Sequence, residues 1–458
     1  MTIETVILAA GQGTRMRSKL PKVLQPIAGK AMVEYVIDTA NTISHCVYLV
    51  VGHQAEAVKL HLNHRSVSFV LQEQQLGTGH ALAQALPELK EESVALVLYG
   101  DVPFVQPETV QQLTTLATQK DTLCLLTTYP DDPTGYGRII RNDQQQVIAI
   151  VEHKDATTDQ LQIREVNSGI LAVPVKHLKT WLPALSNQNS QQEYYLTDIV
   201  AMAVAANLEI ATVHPQYLEE TLGINDRLQQ ATLERWYQKQ QTKQLMSAGV
   251  SCADPDRVDI RGQVIAGQDV FIDVNNVFEG NVSMGDGVRI GPNCYIRNAI
   301  IGDNVDIRAN SVIEDAEIGA DSMIGPFARI RPDTRLAPGV HIGNFVEIKK
   351  SNVSSGSKIN HLTYIGDADI GSGVNIGAGT ITCNYDGVNK FRTTIADGVF
   401  VGSNSTLVAP VQLNNESFIA AGSVITQATE AGKLTIARSR QQTIDNWKRP
   451  TKNRGEDK

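Results

Sequence analysis

The C-terminal part of the chain repeats an aliphatic residue every six positions. Counted in steps of six from Val258 to Ile348, 14 of the 16 positions are Val, Ile, Leu or Cys. The count slips by one residue after Ile348, slips again at Ile370, and resumes after an insertion at Ile395. A helix has an apolar period of about 3.6 residues and a half-buried strand a period of about two, so neither explains six. The period predicts a parallel β-helix, in which each coil stacks its aliphatic residues on the coil below.

The repeat is interrupted once, by the segment CNYDGVNKFRTT between Cys383 and Thr394. Solenoids place such insertions on a working face as protruding loops. From Ala437 to the end, the chain is polar and basic. We expect this tail to pack only in part before it frays.

The first half of the chain has a different pattern. Up to about residue 226, short β-rich runs such as VYLVVG and VALVLYG alternate with helical patterns such as GHALAQALPEL. Apolar strands without strict alternation are typical of a mostly parallel sheet covered by helices on both faces. We therefore predict a Rossmann-like α/β domain over residues 1–226, a connecting helix over 227–249, and an all-β repeat domain with its tail over 250–458.

Composition and charge restrict the partners. The 458 residues carry a formal net charge of −9, whereas a nucleic-acid groove needs a basic footprint. No apolar run approaches the roughly 20 residues of a membrane span, and the N-terminus shows no basic leader or cleavage site. The five scattered cysteines are typical of reduced thiols. We expect a cytoplasmic protein with no nucleic-acid partner and no membrane span.

The stretch VILAAGQGTRMRSKLPKVL, from Val6 to Leu24, runs from a buried strand into a glycine loop. It is not a dinucleotide-binding fingerprint, because Met16 stands where the third glycine is needed, and it lacks the ending of a Walker loop. What remains is a turn whose N–H groups can face anionic oxygens, with Arg15 and Lys22 beside it. A tight turn with two solvated basic residues is the alternative.

A second motif, YGDVP, closes a strongly apolar strand at Tyr99 to Pro103. Asp101 in this motif is placed to hold Mg²⁺ against phosphate oxygens, although an isolated aspartate at a strand end usually forms a turn. Together with LAAGQGTRM and RSKLPK, the motif resembles the sugar-1-phosphate nucleotidyltransferases.

Further motifs extend the resemblance from Val6 to about Arg449. They are QLGTGHA, DDPTGYGRI, VEHKDAT, VNSGI and GINDR in the first half, and GPFARIRP, HIGNFVEIKKS, HLTYIGDADIG and GAGTITCNYDG in the repeats. The chain resembles the bacterial bifunctional family that combines N-acetylglucosamine-1-phosphate uridylyltransferase with glucosamine-1-phosphate N-acetyltransferase. This implies a left-handed β-helix, a homotrimer, and two reactions that supply UDP-N-acetylglucosamine for peptidoglycan and lipopolysaccharide.

For the first half, the resemblance implies attack of the sugar phosphate on the α-phosphorus of UTP, with release of pyrophosphate. It places Leu8, Ala9, Ala10 and Gly11 against the nucleotide, Arg15 and Lys22 on the phosphates, Gln72, Gly77 and Thr78 on uracil, and Tyr99, Gly137, Glu152 and Asn167 on the sugar. Mg²⁺ is expected on Asp101 and Asn225, with Asp226 as an alternative ligand. Gly137 and Asn167 also have a purely structural interpretation, as a turn residue and a loop cap.

For the repeats, the resemblance implies acetyl transfer from acetyl-CoA to the amine of glucosamine-1-phosphate, with His361 as the general base. Histidine suits this task because it titrates near neutral pH; a surface histidine is the alternative. The amino sugar phosphate is assigned to Arg331, Lys349, Tyr364 and Asn375, and the acetyl donor to Ala378, Asn384, Tyr385, Ser403, Ala421 and Arg438.

Three other functions are weighed against these. A single-activity sugar-1-phosphate nucleotidyltransferase would carry the repeats as a structural tail, but such a tail has no need of His361 or the CNYDG loop. A non-catalytic assembly subunit has no need of Arg15, Lys22 and Asp101, and all three are present. Zinc chemistry needs about three ligands on adjacent coils, and the repeats offer only His341 and His361.

Overall fold

The computed structural model describes residues 1–451, which form one compact unit from Met1 to Gln240 and a second from Gln241 onward. A helix runs from Arg227 to Ser247, within the range expected for the connecting helix. From Ala437 to residue 451 the chain forms no helix or strand, and the rest of the predicted tail lies outside the described residues. No helix in residues 1–451 has both the length and the apolar character needed to cross a membrane.

The first unit holds a nine-stranded sheet with helices on both faces and a separate two-stranded sheet, in which Pro26–Ile27 pairs with Lys30–Ala31. Its strands are β1 Ile3–Leu8, β2 Pro26–Ile27, β3 Lys30–Ala31, β4 Cys46–Val51, β5 Ser68–Leu71, β6 Val94–Tyr99, β7 Cys124–Thr128, β8 Arg138–Arg141, β9 Val147–Val151, β10 Val166–Pro174 and β11 Ala211–Val213. The α-helices of the chain are α1 Met32–Ile43, α2 Ala55–His61, α3 Thr78–Ala85, α4 Pro107–Lys120, α5 Thr158–Leu161, α6 Val175–Trp181, α7 Ile199–Ala205 and α8 Arg227–Ser247. Short 3-10 helices lie at Thr14–Met16, Lys22–Leu24, Leu86–Glu88, Leu182–Ala184, Leu196–Asp198, Leu218–Thr221 and Pro255–Arg257.

The sheet order is β11, β7, β10, β6, β1, β4, β5, with the β8–β9 hairpin beside β10. β1 runs parallel to β4 and β6, whereas β10 is antiparallel to β6 and β7. Ile7 of β1 packs into one core, and its neighbours Val6 and Leu8 pack into a second core on the other face. Burial on both faces explains why the strand sequences do not alternate. The predicted mostly parallel α/β domain is confirmed.

The second unit is a β-helix of parallel strands stacked in three faces. One face stacks Ser251–Cys252, Phe271–Ile272, Arg289–Ile290, Asp306–Ile307, Met323–Ile324, His341–Asn344, Lys358–His361, Asn375–Ile376, Phe400–Val401, Phe418–Ile419 and Leu434–Thr435. The other two faces share the long strands Val258–Ala266, Asn276–Met284, Tyr295–Ile301 and Val312–Ile318. They then separate, one into Arg329–Ile330, Glu347–Lys349, Tyr364–Gly366, Ile381–Cys383, Thr406–Val408 and Val424–Ile425, the other into Thr334–Leu336, Asn352–Val353, Ala368–Ile370, Thr393–Ile395 and Val411–Leu413. The predicted left-handed parallel β-helix of hexapeptide repeats is confirmed.

The strict six-residue count is wrong over part of this helix. Within the stretch counted in sixes, two turns are five residues long, from Ile296 to Ile301 and from Ile313 to Ile318, and all four isoleucines are buried. The count therefore reaches Ile300, which is 59% exposed and lies between Ala299 and Ile301, the buried residues of the two inward rows. Inward and outward side chains alternate along a strand, so two short turns move the count from one inward row to the next. At Ile318 the count has moved by two residues and again meets a buried side chain, which is why the period looked unbroken.

This register makes a testable difference between two adjacent isoleucines. Ile301→Ala is expected to lower the free energy of unfolding by about 2–5 kcal/mol, because it leaves a cavity in the core. Ile300→Ala, the matched control, is expected to change it by less than about 0.5 kcal/mol. Chemical denaturation followed by circular dichroism measures both. Equal losses would contradict the register.

Candidate active sites

A cleft of about 240 Å³ opens at the carboxyl ends of β1 and β6. Ten predicted residues line it: Leu8, Ala9, Ala10, Gly11, Lys22, Gln72, Gly77, Thr78, Tyr99 and Asp101. β1 and β6 are adjacent and parallel, so the loops that follow them meet at the edge where α/β sheets bind ligands. Val23, Gln75, Ala81 and Glu193 also line the cleft and were not predicted, although Gln75 and Ala81 lie within the QLGTGHA motif.

The glycine loop after β1 closes against Lys22. It continues into the 3-10 helix Thr14–Met16, not into the α-helix that a dinucleotide fingerprint opens, and Met16 is buried. Gly13 has a φ of +63°, and a Cβ at this position would collide with the Lys22 side chain. The second glycine therefore allows the lysine to pass beside the loop and reach the cleft.

The Lys22 ammonium lies between the two predicted metal ligands. Its Nζ forms an ion pair with Asp101 and donates to Asn225 Oδ1 at 2.7 Å, and Arg15 donates to the same amide oxygen at 2.9 Å. Two oxygens that share one ammonium are close enough to share a small cation, and Mg²⁺ accepts carboxylate and amide oxygens. No three His, Cys, Asp or Glu side chains within residues 1–451 form a metal site by themselves. An ion here therefore needs further oxygens, as from phosphates or water.

Asp226, the alternative metal ligand, is engaged by helix α8. Its Oδ1 accepts the backbone N–H of Gln229 at 2.9 Å, as a helix cap does. The side chain of Gln229 in turn accepts the backbone N–H of Asn225 at 2.7 Å. This turn holds Asn225, and not Asp226, against Lys22.

The predicted sugar-binding residues are connected by short contacts, although only Tyr99 lines the cleft. The backbone N–H of Asn167 donates to Gly137 O at 2.9 Å, and its Oδ1 accepts the N–H of Gly169 at 3.1 Å. A Cβ at Gly169 would meet the Tyr99 ring, and a Cβ at Gly137 would approach Glu152. Burial raises the pKa of Tyr99 and of Glu152, so the Tyr99 hydroxyl stays a hydrogen-bond donor.

In the β-helix, His361 ends the strand Lys358–His361 and lies beside Asn344 on the adjacent coil. His361 Nδ1 is 2.8 Å from Asn344 Oδ1. An amide oxygen only accepts, so Nδ1 carries the ring proton and Nε2 is left to accept one. Both residues and His341 line a cavity of about 170 Å³. Asn344 was not predicted; it precedes His361 by 17 residues, the length of one coil.

The predicted phosphate-binding residues lie on the next face, beyond the corner at Leu362. Arg331 donates to Glu347 at 2.7 Å, and Glu347 pairs in register with Tyr364 on the following coil. Lys349 ends the same strand as Glu347. Arg331, Lys349 and Tyr364 are thus brought together on one face.

The inserted loop reaches this face. Tyr385 and Lys390 pair across the loop, and Asn384 at its base donates to Asp367. The Lys390 ammonium beside Lys349 lowers the pKa of Lys349. Two cations this close repel each other, and a bound phosphate would relieve that repulsion. Lys390 was not predicted, and only its position in the CNYDGVNK insertion pointed to it.

Three predicted coenzyme A residues, Ala378, Ser403 and Ala421, lie at one corner on successive coils. The backbone carbonyls of Ala378 and Ser403 accept N–H groups of the next coil at 2.7 and 2.8 Å. The Ala421 carbonyl accepts the Arg438 guanidinium at 2.6 Å. Asn375 lies elsewhere, on the face of His361, where its strand pairs with Lys358–His361. Within one chain, the corner at Leu362 separates His361 and Asn375 from the phosphate-binding group.

Comparison with known proteins identifies the family. Three family models match: the MobA-like NTP transferase domain over residues 5–248, the GMPPB C-terminal domain over 260–336, and the hexapeptide repeat of succinyl-transferase over 392–427. Proteins named Bifunctional protein GlmU from Marinobacter nauticus and Cellvibrio japonicus are each 56% identical over 98% of this chain and 99% of their own. The chain belongs to the GlmU family. A GlmU protein of Aromatoleum aromaticum is 53% identical over the same shares.

As a member of the GlmU family, the chain is a bifunctional enzyme, a uridylyltransferase and an acetyltransferase that serves cell-wall precursor synthesis. The match extends over nearly the whole length of the GlmU relatives, so the single-activity alternative is not supported. Nucleotidyltransferases of the GlmU type typically need a metal ion. Among solved structures, a nucleotidyl transferase from Methanothermobacter thermautotroptrophicus is 18% identical, with a TM-score of 0.38 over 52% of this chain and 97% of its own, which is too distant to carry an argument.

Proposed function

We propose that residues 1–226 transfer the uridylyl group of UTP to N-acetylglucosamine-1-phosphate and that residues 250–458 first make this substrate, by acetylating glucosamine-1-phosphate with acetyl-CoA. The observation that supports two sites is that each set of predicted residues gathers within its own unit, one around Lys22 and Asp101, the other around His361. Separate assays of pyrophosphate and thiol release test the assignment.

In the first unit, the chain's own groups bind and orient the two substrates and neutralise phosphate charge, which is most of what phosphoryl transfer requires. Lys22 and Arg15 exchange their contacts with Asp101 and Asn225 for the phosphates of UTP. Asp101 and Asn225 would hold Mg²⁺, which when bound would neutralise phosphate charge. Leu8, Ala9, Ala10 and Gly11 support the nucleotide, Gln72, Gly77 and Thr78 read uracil, and Tyr99, Gly137, Glu152 and Asn167 hold the sugar.

In the β-helix, the amine nitrogen of the sugar attacks the thioester carbonyl, and His361 Nε2 takes the proton that the amine loses. The new C–N bond forms, the C–S bond breaks, and the thiol of coenzyme A leaves with a proton. Asn344 keeps Nδ1 protonated and so leaves Nε2 free to accept. The phosphate is bound by Arg331, Lys349 and Tyr364 with Asn375, and the acetyl donor by Ala378, Asn384, Tyr385, Ser403, Ala421 and Arg438.

We further propose that the acetyl-transfer site lies between chains of a homotrimer. The corner that separates its two groups carries Phe327, Phe345 and Leu362, which are 49%, 55% and 64% exposed. Their φ angles are +55°, +56° and +50°, a region that is costly for large side chains. Phe327 and Phe345 stack at 5.2 Å. Contact with a second copy of the chain would bury this apolar surface and offset the cost of the three positive φ angles.

Phe345→Asn tests this assembly. Asparagine accepts a positive φ, so the variant is expected to stay folded, while loss of the stacked ring dissociates the trimer and lowers acetyl transfer. Uridylyl transfer is the internal control and should not change. Analytical ultracentrifugation should give about three times 49.8 kDa for the original chain and a smaller mass for the variant. An original chain of 49.8 kDa in solution would contradict the proposal.

A further inference from the structure

The side-chain amide of Gln72 is held in one orientation in the wall of the nucleotide cleft. Gln72 is 2% exposed, and its Nε2 donates to Gly77 O at 3.3 Å and to His80 Nδ1 at 2.9 Å. A backbone carbonyl only accepts, so the amide must turn its nitrogen, not its oxygen, toward Gly77. Both N–H groups are then engaged within the protein. The acceptor Oε1 is the atom of the amide that remains for a ligand.

His80, in the first turn of α3, completes this arrangement. Because Gln72 presents an N–H, His80 Nδ1 must accept, which places the ring proton on Nε2. Gln84, one turn further along α3, donates a side-chain N–H to the His80 carbonyl at 3.3 Å; the same amide nitrogen lies 3.2 Å from His80 Nε2, a contact that is not a hydrogen bond when Nε2 carries the proton. The ring of Tyr194 lies 6.3 Å from the imidazole. His80 is not among the residues that line the cleft, so any effect on a ligand must pass through Gln72.

We propose that His80 is a positioning residue that sets the base specificity of the cleft by keeping Gln72 Oε1 turned toward the base. This inference rests on the proposed role of Gln72 in reading uracil. Uracil carries a hydrogen on N3, whereas N3 of cytosine is an acceptor. A fixed acceptor therefore pairs with uracil and opposes the lone pair of cytosine. Without His80, only the 3.3 Å hydrogen bond to Gly77 O holds the amide, and a rotated amide would offer an N–H to cytosine instead.

Two nearly isosteric substitutions test whether the acceptor, and not the shape of the ring, matters. His80→Asn keeps an acceptor oxygen close to the position of Nδ1, and His80→Leu removes it. The preference for UTP over CTP, as a ratio of kcat/KM, is expected to fall about tenfold in His80→Leu and to stay within about threefold of the original in His80→Asn. The change is expected in KM for UTP, because the base is remote from the reacting phosphorus.

Gln72→Ala distinguishes a wrong role for His80 from a wrong role for Gln72. If it lowers the UTP preference while His80→Leu does not, His80 has no positioning role and the inference is overturned. If Gln72→Ala changes neither the preference nor KM for UTP, Gln72 does not read the base, and the proposed function is wrong at that residue. A melting curve and the acetyl transfer of the same chain report on folding. Should His80→Leu not fold, His80→Phe supplies a ring without an acceptor and takes its place.

Discussion

His361→Ala is expected to reduce acetyl transfer by about 10²–10⁴-fold while leaving uridylyl transfer unchanged, since a positioned general base supplies a rate factor of about that size. The variant loses the only atom, Nε2, that the hydrogen bond from Nδ1 to Asn344 leaves free to take the proton of the sugar amine. The His361 side chain is exposed, so its removal leaves no cavity in the core. Thiol release from acetyl-CoA, followed with a thiol reagent, measures the loss.

His341→Ala is the matched control for this substitution. Both histidines line the same cavity of the β-helix, but among the described residues the hydrogen bond to Asn344 Oδ1 is made by His361 and not by His341. His341→Ala is expected to retain acetyl transfer within a few-fold. If His341→Ala were the inactive variant and His361→Ala the active one, the general base would have been assigned to the wrong histidine.

Asp101→Asn is expected to lower uridylyl transfer by at least about 10²-fold and to leave acetyl transfer intact. The substitution keeps the shape of the side chain but removes the charge that pairs with Lys22 and that would bind Mg²⁺. The largest effect should appear at limiting Mg²⁺, because a weaker metal site needs more metal to fill it. Pyrophosphate release, titrated with Mg²⁺, measures both changes.

Asp226→Asn is the control for the metal ligand. Asparagine is as good a helix cap as aspartate, so helix α8 should keep its first turn while the charge of Asp226 is lost. We expect nearly unchanged pyrophosphate release. Loss of activity in this variant, with activity kept in Asp101→Asn, would show that Asp226 is the ligand and that the assignment of Asp101 is wrong.

Much of the fold followed from sequence patterns that have a direct physical cause. Strands buried on both faces show continuous apolar runs, and this pattern correctly predicted the mostly parallel sheet of the first unit. The period of six likewise predicted the β-helix. The count failed between Ile296 and Ile318 because a coil can shorten by one residue without losing an aliphatic side chain at the next position. The number of residues in each turn depends on how that turn packs, and it cannot be read from the spacing of the aliphatic residues.

The residues predicted for the cleft of the first unit lie together because they follow adjacent parallel strands. The carboxyl ends of β1 and β6 must meet, so Leu8 to Gly11 and Tyr99 to Asp101 are neighbours by topology alone. Contacts between coils have no such rule. Asn344 beside His361, and Lys390 beside Lys349, depend on coil lengths and on the path of the inserted loop. These two residues were therefore missed, although both lie in or next to motifs already singled out.

The most direct test of two separate sites on one chain follows both products in the same reaction. The protein is incubated with glucosamine-1-phosphate, acetyl-CoA, UTP and Mg²⁺, and free thiol and pyrophosphate are recorded separately for the original chain, His361→Ala and Asp101→Asn. Asp101→Asn is expected to release thiol without pyrophosphate, and His361→Ala to release pyrophosphate only when N-acetylglucosamine-1-phosphate is supplied. Loss of both products in either variant, with the protein still folded and N-acetylglucosamine-1-phosphate supplied, would contradict the assignment of two separate sites.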